Sequence, residues 1–403
     1  MSHQNRLFLR HQLSHGRGTL NGSSHCQERS MDRPHLIRLL AAFGAGPAAA
    51  DLVFTNACVA DTPLNTQATV SLAMTGQNEL ATMPLPRIGI VAVGGAGRSM
   101  LSRLDARYFA RCGTVEIDTD PEGPQGPGSV SGHQIIRIGH AGEKPRLPHE
   151  ARALTMTHLY EIQTALQRFD LVFIVAGMGG ATGTGVAPLV AEIAQRAGVF
   201  TISAPVTPFA FEADWRLATA LHGVSALQPV SNALFQLDNQ QLFPAASINL
   251  EHSDLCAQAD RTFSSLYACI EQSFRNDRWI GWDFEDMRAV FAQAGHSAMG
   301  FAVGSGAARV ELATLRAIMH PLLGRRAFGQ ASSVFVNIRS GADSLKLKDV
   351  WGVMKIIKSQ LPAAPHLGYT ASPDASLGER LAVSILAAGI PAAPKTRIPG
   401  AGA

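Results

Sequence analysis

Short apolar segments alternate with helical repeats from Arg87 onward. The segments that predict strands are IGIVAV (88–93), TVEI (114–117), QIIRIG (134–139), DLVFIVA (170–176) and VFTISAPV (199–206). A strand of a parallel sheet is apolar throughout when both of its faces are covered. Helical spacing between the strands, clearest in residues 151–169, predicts the connecting helices. Strands that alternate with helices predict a doubly wound, mostly parallel α/β sheet with ligands at the carboxyl ends of its strands.

A longer helical repeat follows this first unit. Apolar and small residues recur on one face from Leu255 to Phe274, which predicts a helix long enough to join two domains. Beyond it the pattern predicts a second, smaller unit of mixed helices and strands. Its helices are DMRAVFAQA (286–294), RVELATLRAIM (309–319) and KDVWGVMKIIKS (348–359), and its strands are SAMGFAV (297–303), SVFVNIR (333–339), HLGYTA (366–371) and RLAVSILAAG (380–389).

The first 85 residues have no sustained period and are expected to form a disordered extension. Residues 31–51 have a basic start, a short apolar stretch and an alanine-rich end, so a signal peptide is one interpretation. The alternative is an extension upstream of the true domain, with Met74 or Met83 as the natural start. Residues 391–403 are expected to form a short flexible tail.

Composition narrows the class of protein. The chain has 403 residues, is 46% hydrophobic and 16% charged, and carries a formal net charge of +3, which suits a globular protein of about two domains. No block of Lys or Arg suggests a nucleic-acid partner. The five cysteines are scattered without metal-ligand spacing, so we expect a reducing cytoplasm. No apolar run is long enough to span a bilayer.

Two glycine-rich segments follow predicted strands. GGAGRS (94–99) follows the first strand, and GMGGATGTG (177–185) follows DLVFIVA. Tight strand-to-helix packing explains one or two glycines, but not a cluster this dense. Backbone N–H groups of both segments, with a helix beginning near Val186, could converge on one polyphosphate. Thr182 and Thr184 would add hydroxyl donors.

Two other phosphate-binding motifs were compared with these segments. A P-loop requires GxxxxGK[ST], and neither segment contains that lysine, so this motif is excluded. A dinucleotide fingerprint requires GxGxxG, but Met100 stands at the third glycine position. Asp118 could still bind a ribose, which leaves a nicotinamide-dependent oxidoreductase as an alternative, although such an enzyme has no use for the second glycine segment.

Six segments, in their order and approximate spacing, resemble FtsZ, the bacterial relative of tubulin. They are VAVGGAGRS, DTD, GMGGATGTG, PFAFEADWR, LDNQQL and WDFEDM, and GGATGTG is the most specific of them. The resemblance covers about residues 86–390. It implies a GTP-binding domain (86–250), a central connecting helix (251–280) and a C-terminal α+β domain (281–390), assembled head to tail into filaments.

The resemblance also assigns residues to the binding of GTP or GDP. Asn239 and Asp260 match residues that read guanine, and a carboxylate suits the N–H donors of that base. Glu212 and Arg216 match a ribose and phosphate contact pair; the alternative is an exposed helical ion pair. For Asp260 the alternative is a solvated helical charge. The residues that match the two phosphate-binding segments are Gly94, Gly95, Gly97, Gly179, Gly180, Thr182, Gly183, Thr184 and Gly185.

Asp283 and Asp286 match the segment that family members present to the nucleotide of the next subunit. Two carboxylates there could position the attacking water. Their spacing equally predicts a helix cap, with Asp283 at the N-cap and Asp286 at the third helical position. The two roles can coexist.

The sequence departs from the family at several of these positions. Binding therefore looks better preserved than hydrolysis, and the chain resembles a divergent paralogue without the peptide that tethers typical members to the membrane. The departures are Ala181 for a glycine, Arg98 and Ser99 for a Gly-Asn pair, Asp118 for an asparagine, a short 139–148 loop, and Gly281 for an asparagine. Asp118 is expected to place a negative charge near the nucleotide.

These features predict a cytoplasmic GTPase that self-associates head to tail, with Mg²⁺ held mainly by the phosphates and no metal site of its own. Its role would lie in cell division or a related cytoskeletal process. The alternative is a GTP-binding regulator that hydrolyses little and caps or co-assembles with another FtsZ-type filament.

Overall fold

The computed structural model describes residues 85–104, 112–119, 132–139, 144–243, 252–275, 279–280, 282–292, 296–361 and 366–391. The predictions for residues 1–84, for residues 140–143 of the 139–148 loop, for Gly281 and for residues 392–403 lie outside these ranges.

The first sheet has seven strands, and each pairs in parallel with its neighbours. Its order is β3-β2-β1-β4-β5-β6, and β7 also pairs with β5. This confirms the predicted parallel sheet. The strands are β1 (Ile88–Val93), β2 (Gly113–Asp118), β3 (His133–Arg137), β4 (Leu171–Gly177), β5 (Phe200–Thr207), β6 (Ala233–Leu234) and β7 (Leu237–Asp238).

Helices cover both faces of this sheet. One face packs against α2 to α5. The other packs against α1 and against two later helices, His252–Ser273 and Phe284–Phe291. Every residue of β1 is buried, as expected for a strand with two covered faces. The helices are α1 (Gly94–Ser102), α2 (Pro148–Thr155), α3 (Leu159–Leu166), α4 (Ala181–Arg196), α5 (Asp214–Leu227) and α6 (Asn239–Leu242).

Two helix predictions need correction. The helix predicted over residues 151–169 is interrupted, because Met156–His158 forms a 3₁₀ turn between α2 and α3. The helix predicted to begin near Val186 begins at Ala181. The threonines and glycines of the second glycine segment therefore form its first turn, and the glycines are compatible with a helix there because they allow close packing, as described below.

The long connecting helix is α7 (His252–Ser273). Its predicted apolar face is buried wherever its side chains are described, and Phe263, Leu266, Tyr267 and Ile270 pack in one core with residues of both sheets. The helix α7 therefore joins the first sheet to the second through a shared hydrophobic core.

The second sheet has four strands in the order β10-β9-β11-β8. β10 is parallel to β9, whereas β11 is antiparallel to both β9 and β8, so the sheet is mixed, as the α+β prediction requires. The strands are β8 (His296–Gly304), β9 (Ser333–Ser340), β10 (His366–Pro373) and β11 (Leu381–Ile390), and the helices are α8 (Phe284–Phe291), α9 (Arg309–Ile318), α10 (Gly324–Gln330) and α11 (Leu347–Gln360).

Candidate functional site

The two glycine segments meet at the carboxyl edge of the first sheet. β1 ends at the start of α1, and the neighbouring β4 ends just before α4. Gly94 has a φ of +72°, and a Cβ added there would lie 3.3 Å from the backbone nitrogen of Gly183. The first turns of α1 and α4 therefore stand side by side, as the sequence predicted.

Several glycines in these segments allow close packing. A Cβ at Gly97 would lie 2.5 Å from the carbonyl oxygen of Val175. A Cβ at Gly183 would collide with the Gly177 carbonyl, and one at Gly185 would collide with the Pro148 carbonyl. The glycine pattern predicted tight packing for only one or two glycines. These three glycines are required by the fold itself, with or without a ligand.

Gly95 and Gly180 have a different environment. A Cβ added to either would meet no atom within 4 Å. Gly180 is the N-cap of α4 with a φ of −101° and a ψ of 173°, a conformation open to any residue. Packing and backbone strain therefore do not explain these two glycines. Both lie at a helix N-terminus whose free N–H groups face open space. Such an arrangement is a ready binding site for phosphate.

Hydroxyl groups connect the second segment to its surroundings. Thr184 is buried, and its Oγ1 accepts a hydrogen bond of 2.9 Å from the N–H of Gly179. Thr182 Oγ1 lies 2.8 Å from Thr119 Oγ1, at the end of β2. Thr184 therefore braces its own segment, while Thr182 links it to the neighbouring strand end.

Arg216 lies against Gly179 of the second glycine segment, and Glu212 pairs with it. Arg216 Nε is 3.1 Å from Glu212 Oε2, and Glu212 Oε1 accepts a hydrogen bond from the N–H of Phe209 at 2.9 Å. A Cβ at Gly179 would lie 2.8 Å from Arg216 Cγ. Because Glu212 precedes α5, the pair is more than an exposed pair along one helix. The aliphatic stem and the backbone carbonyl of Arg216 therefore pack against Gly179.

Asn239 and Asp260 lie on α6 and α7, which pack against each other. Among the described residues, nothing donates a hydrogen bond to the buried Oδ1 of Asn239, which is costly unless a ligand does so. The Asp260 side chain is 12% exposed and forms a two-point pair with Arg103, with Nε–Oδ2 at 2.5 Å and Nη2–Oδ1 at 3.1 Å. The alternative interpretation of Asp260 as a solvated helical charge is therefore wrong.

Arg98 and Asp118 form a buried pair that the sequence argument missed. Arg98 is 1% exposed, and its Nη1 donates a hydrogen bond of 2.7 Å to Asp118 Oδ2. The negative charge expected at Asp118 is thus compensated by a second departure from the family pattern. The two departures carry opposite charges, but they are 20 residues apart in the sequence, so no local pattern predicts the contact.

Glu116 lies beneath this pair on β2. It is fully buried, its Oε2 is 3.7 Å from Arg98 Nε, and neither of its oxygens has a hydrogen-bond partner among the described residues. Burial raises the pKa of Glu116 above its ordinary value, although the nearby His133 and Arg98 oppose that change. Arg98 therefore compensates two buried acidic groups, Glu116 within β2 and Asp118 at its end.

Asp283 and Asp286 form the predicted helix cap. Asp283 Oδ1 accepts a hydrogen bond of 2.7 Å from the Asp286 N–H, and Asp286 Oδ2 accepts one of 3.2 Å from the Asp283 N–H. The neighbouring Phe284 ring is 5.9 Å from the ring of Phe200, the first residue of β5. These carboxylates therefore lie at the amino edge of the sheet.

The glycine segments lie at the opposite, carboxyl edge. The seven residues of β4, Leu171–Gly177, separate the two edges by about 20 Å at ~3.3 Å per residue. Within one chain, the structure thus brings the predicted binding residues together but does not bring Asp283 and Asp286 to them.

A parallel sheet with two glycine-rich helix starts at one edge, a long central helix and a second mixed sheet define a tubulin-like nucleotide-binding fold. Comparison with family models agrees. Residues 140–247 match the Tubulin/FtsZ family, GTPase domain, and residues 295–391 match the FtsZ family, C-terminal domain.

Individual relatives extend the match over most of the described chain. Cell division protein FtsZ 2 of Rhizobium meliloti is 30% identical over 309 residues, which cover 76% of this chain and 88% of that protein. FtsZ 1 of the same organism is 31% identical over 312 residues, 76% of this chain, but the matched region spans only 52% of that longer protein. The chain belongs to the FtsZ family, of which it is a divergent member.

Solved structures show the same fold. An empty FtsZ dimer from M. jannaschii superimposes with a TM-score of 0.69 at 26% identity, covering 81% of this chain and 93% of the other. CetZ2 from Haloferax volcanii, described as a GTPγS-bound protofilament, gives a TM-score of 0.63 at 20% identity, with 76% and 94% covered. Family membership argues against the nicotinamide-dependent alternative.

Among the described helices, none is both long and apolar enough to cross a bilayer. In the same part of the chain, no three His, Cys, Asp or Glu side chains are grouped so that they could hold a metal ion.

Proposed function

We propose that this protein binds GTP at the carboxyl edge of its first sheet and hydrolyses it after head-to-tail association with a second copy. The observation that carries the binding proposal is the open space at Gly95 and Gly180. Neither packing nor backbone conformation requires glycine at these positions, whereas the close approach of a phosphate to backbone N–H groups does.

We assign each binding role to a residue or helix turn of this site. The first turns of α1 and α4 hold the phosphates, and Arg216, whose stem packs against Gly179, contributes a positive charge to the site. Asn239 Oδ1, which has no hydrogen-bond partner among the described residues, accepts a hydrogen bond from the base. Asp260 accepts two hydrogen bonds from the paired N–H donors that distinguish guanine from adenine. Mg²⁺ is carried mainly by the phosphates, which is its usual mode of binding to nucleotide sites.

Hydrolysis requires a second copy in this proposal. Asp283 and Asp286 lie about 20 Å from the glycine segments across β4, so they cannot reach a nucleotide bound to their own chain. In a head-to-tail arrangement, the amino edge of one subunit meets the carboxyl edge of the next. The two carboxylates then position and polarise the water that attacks the terminal phosphate.

The proposal includes the organisation and setting expected from the sequence. A GTP-binding domain spans residues 86–250, a connecting helix 251–280 and a C-terminal domain 281–390. The protein acts in the cytoplasm, forms filaments, and serves cell division or a related cytoskeletal process. The relatives at about 30% identity are cell division proteins, and the matched CetZ2 structure is described as a protofilament.

A second candidate is a GTP-binding regulator that hydrolyses little and joins or caps another FtsZ-type filament. One observation favours it: both carboxylates of the catalytic pair are already hydrogen-bonded in the helix cap. The family asparagine beside them is also replaced by Gly281.

Subunit complementation tests both candidates. Gly180→Val fills the open space and should abolish GTP binding, while Asp283→Asn combined with Asp286→Asn should keep binding and lose hydrolysis. Each variant alone should be inactive. A mixture should regain part of the wild-type GTPase activity, because some interfaces then pair an intact pocket with intact carboxylates.

The outcomes separate the candidates. If the mixture stays inactive while the double variant binds GTP and sediments with the wild type, the carboxylates do not act across an interface and the regulator is favoured. If the folded wild-type protein takes up no GTP at micromolar concentrations, both candidates fail. Sedimentation with GTP, and with GDP as the control, measures the association.

A further inference from the structure

The Arg103–Asp260 pair bears directly on how the base is bound. Arg103 follows α1 as its C-cap residue, and it reaches Asp260 on the central helix. Its Nε and Nη2 each contact a different carboxylate oxygen, at 2.5 and 3.1 Å. The guanidinium group therefore occupies the edge of the carboxylate that offers two acceptors side by side.

Guanine would use the same edge. Its ring N–H and its exocyclic amine form a pair of parallel donors, which a carboxylate accepts in the way it accepts an arginine fork. One edge cannot hold both forks. A guanine bound in the two-point manner therefore requires Arg103 to leave Asp260.

Arg103 has the room to leave. Its side chain is 46% exposed, whereas that of Asp260 is 12% exposed. A cavity of about 740 Å³ adjoins the pair, and its lining includes Ser376, Asp374 and Arg339, which pairs with Asp374 at 3.1 Å. Arginine has a long flexible stem, so the guanidinium group can move into this cavity while the buried carboxylate stays in place.

We infer that Arg103 is a specificity-determining residue that competes with guanine for Asp260 and so lowers the affinity for GTP. This inference rests on the proposed function, because it needs Asp260 to contact the base. Competition with Arg103 lowers the affinity of a nucleotide that makes two hydrogen bonds to Asp260 more than the affinity of a nucleotide that makes one. Arg103 therefore narrows the preference for guanine over hypoxanthine, which lacks the exocyclic amine.

The test compares the binding of GTP and ITP to the full chain. Arg103→Ala should raise the affinity for GTP by about two- to fivefold, the range expected when a partly exposed ion pair no longer has to break. The affinity for ITP should rise less, so the GTP/ITP ratio increases. Arg261→Ala removes an exposed positive charge from the same cavity and should leave the ratio unchanged.

A second variant keeps the inference separate from the proposed function. Asp260→Asn should shift the preference from GTP towards XTP, since an amide can donate to the extra xanthine carbonyl. If the GTP/XTP ratio does not change, Asp260 does not read the base and the inference fails, although GTP binding persists. A loss of GTP affinity in Arg103→Ala would also overturn it, because Arg103 would then be a ligand of the nucleotide. Absence of GTP binding by the wild-type protein is instead a failure of the proposed function.

Discussion

Arg98 on α1 donates a hydrogen bond of 2.7 Å to Asp118 at the end of β2, and both side chains are almost fully buried, with 1% and 4% exposed. The N–H of Thr119 donates to the other carboxylate oxygen, and Thr119 in turn contacts Thr182. The pair therefore links Arg98 of the first glycine segment, through Thr119, to Thr182 of the second. A change at either residue should affect both folding and the shape of the phosphate site.

Replacing Arg98 alone should be strongly destabilising. Arg98→Met keeps the apolar stem but leaves the carboxylates of Asp118 and Glu116 buried without it, and breaking a buried pair costs about 3–5 kcal/mol. The double variant Arg98→Met with Asp118→Asn should recover part of that loss. Urea unfolding measures both effects.

The control for this prediction is the exposed Arg87–Asp170 pair, with side chains 60% and 38% exposed. Arg87→Met should cost far less stability than Arg98→Met, because an exposed ion pair contributes little to folding. A similar cost for Arg87→Met and Arg98→Met would show that burial does not determine the importance of the Arg98 pair.

The glycines of the second segment should separate into two groups on substitution. Gly183→Ala forces a methyl group against the Gly177 carbonyl, and overpacking of this kind costs about 1–3 kcal/mol. Gly180→Ala meets open space, so its melting temperature should stay close to wild type while GTP binding falls at least tenfold. Thermal unfolding and a GTP titration test this together. Normal GTP binding by Gly180→Ala would contradict the proposed phosphate position.

Much of the fold could be predicted because the strands of a covered parallel sheet are apolar throughout, as in Ile88–Val93. The helix α5 was missed because Trp215 and Leu221 are exposed, with 64% and 51% of their surface accessible, so its apolar pattern is blurred. The start of α4 was misplaced because glycine density indicates a loop, whereas close packing at Gly183 needs glycine inside a helix.

The candidate site was predictable only in part. The family resemblance assigns Asn239 and Asp260 to the base, but it gives no sign of Arg103, which pairs with Asp260 from 157 residues away in the sequence. Arg98 and Asp118 are 20 residues apart, and no local pattern indicates that their side chains meet. Such pairs depend on which strands become neighbours, which short-range patterns do not specify.

The capping and catalytic roles of Asp283 and Asp286 should be separable. Asparagine is as good an N-cap as aspartate, so Asp283→Asn should keep the stability of α8, whereas Asp283→Ala should lose about 1 kcal/mol. Both variants should lose GTPase activity if the carboxylate positions water. Urea midpoints and GTPase rates at several protein concentrations distinguish the roles. Wild-type activity in Asp283→Asn would leave Asp283 with the cap alone.

His320, between α9 and α10, should make the second sheet sensitive to acid. Its ring packs 4.7 Å from the ring of Phe301, and burial lowers the pKa of His320 to about 4, although a hydrogen bond to the backbone of Met299 acts in the opposite direction. In the unfolded chain a histidine has a pKa of about 6.5. Above that pH the side chain is neutral in both states, so it adds no pH dependence. As the pH falls below about 6.5, the unfolded chain takes up a proton that the folded protein does not, and stability falls by about 3 kcal/mol by pH 4.

His320→Gln should remove this part of the pH dependence of urea unfolding, while His366→Gln, at an exposed position, should retain it. An unchanged pH profile in His320→Gln would show that the ring is protonated without cost, and so that its burial is incomplete in solution.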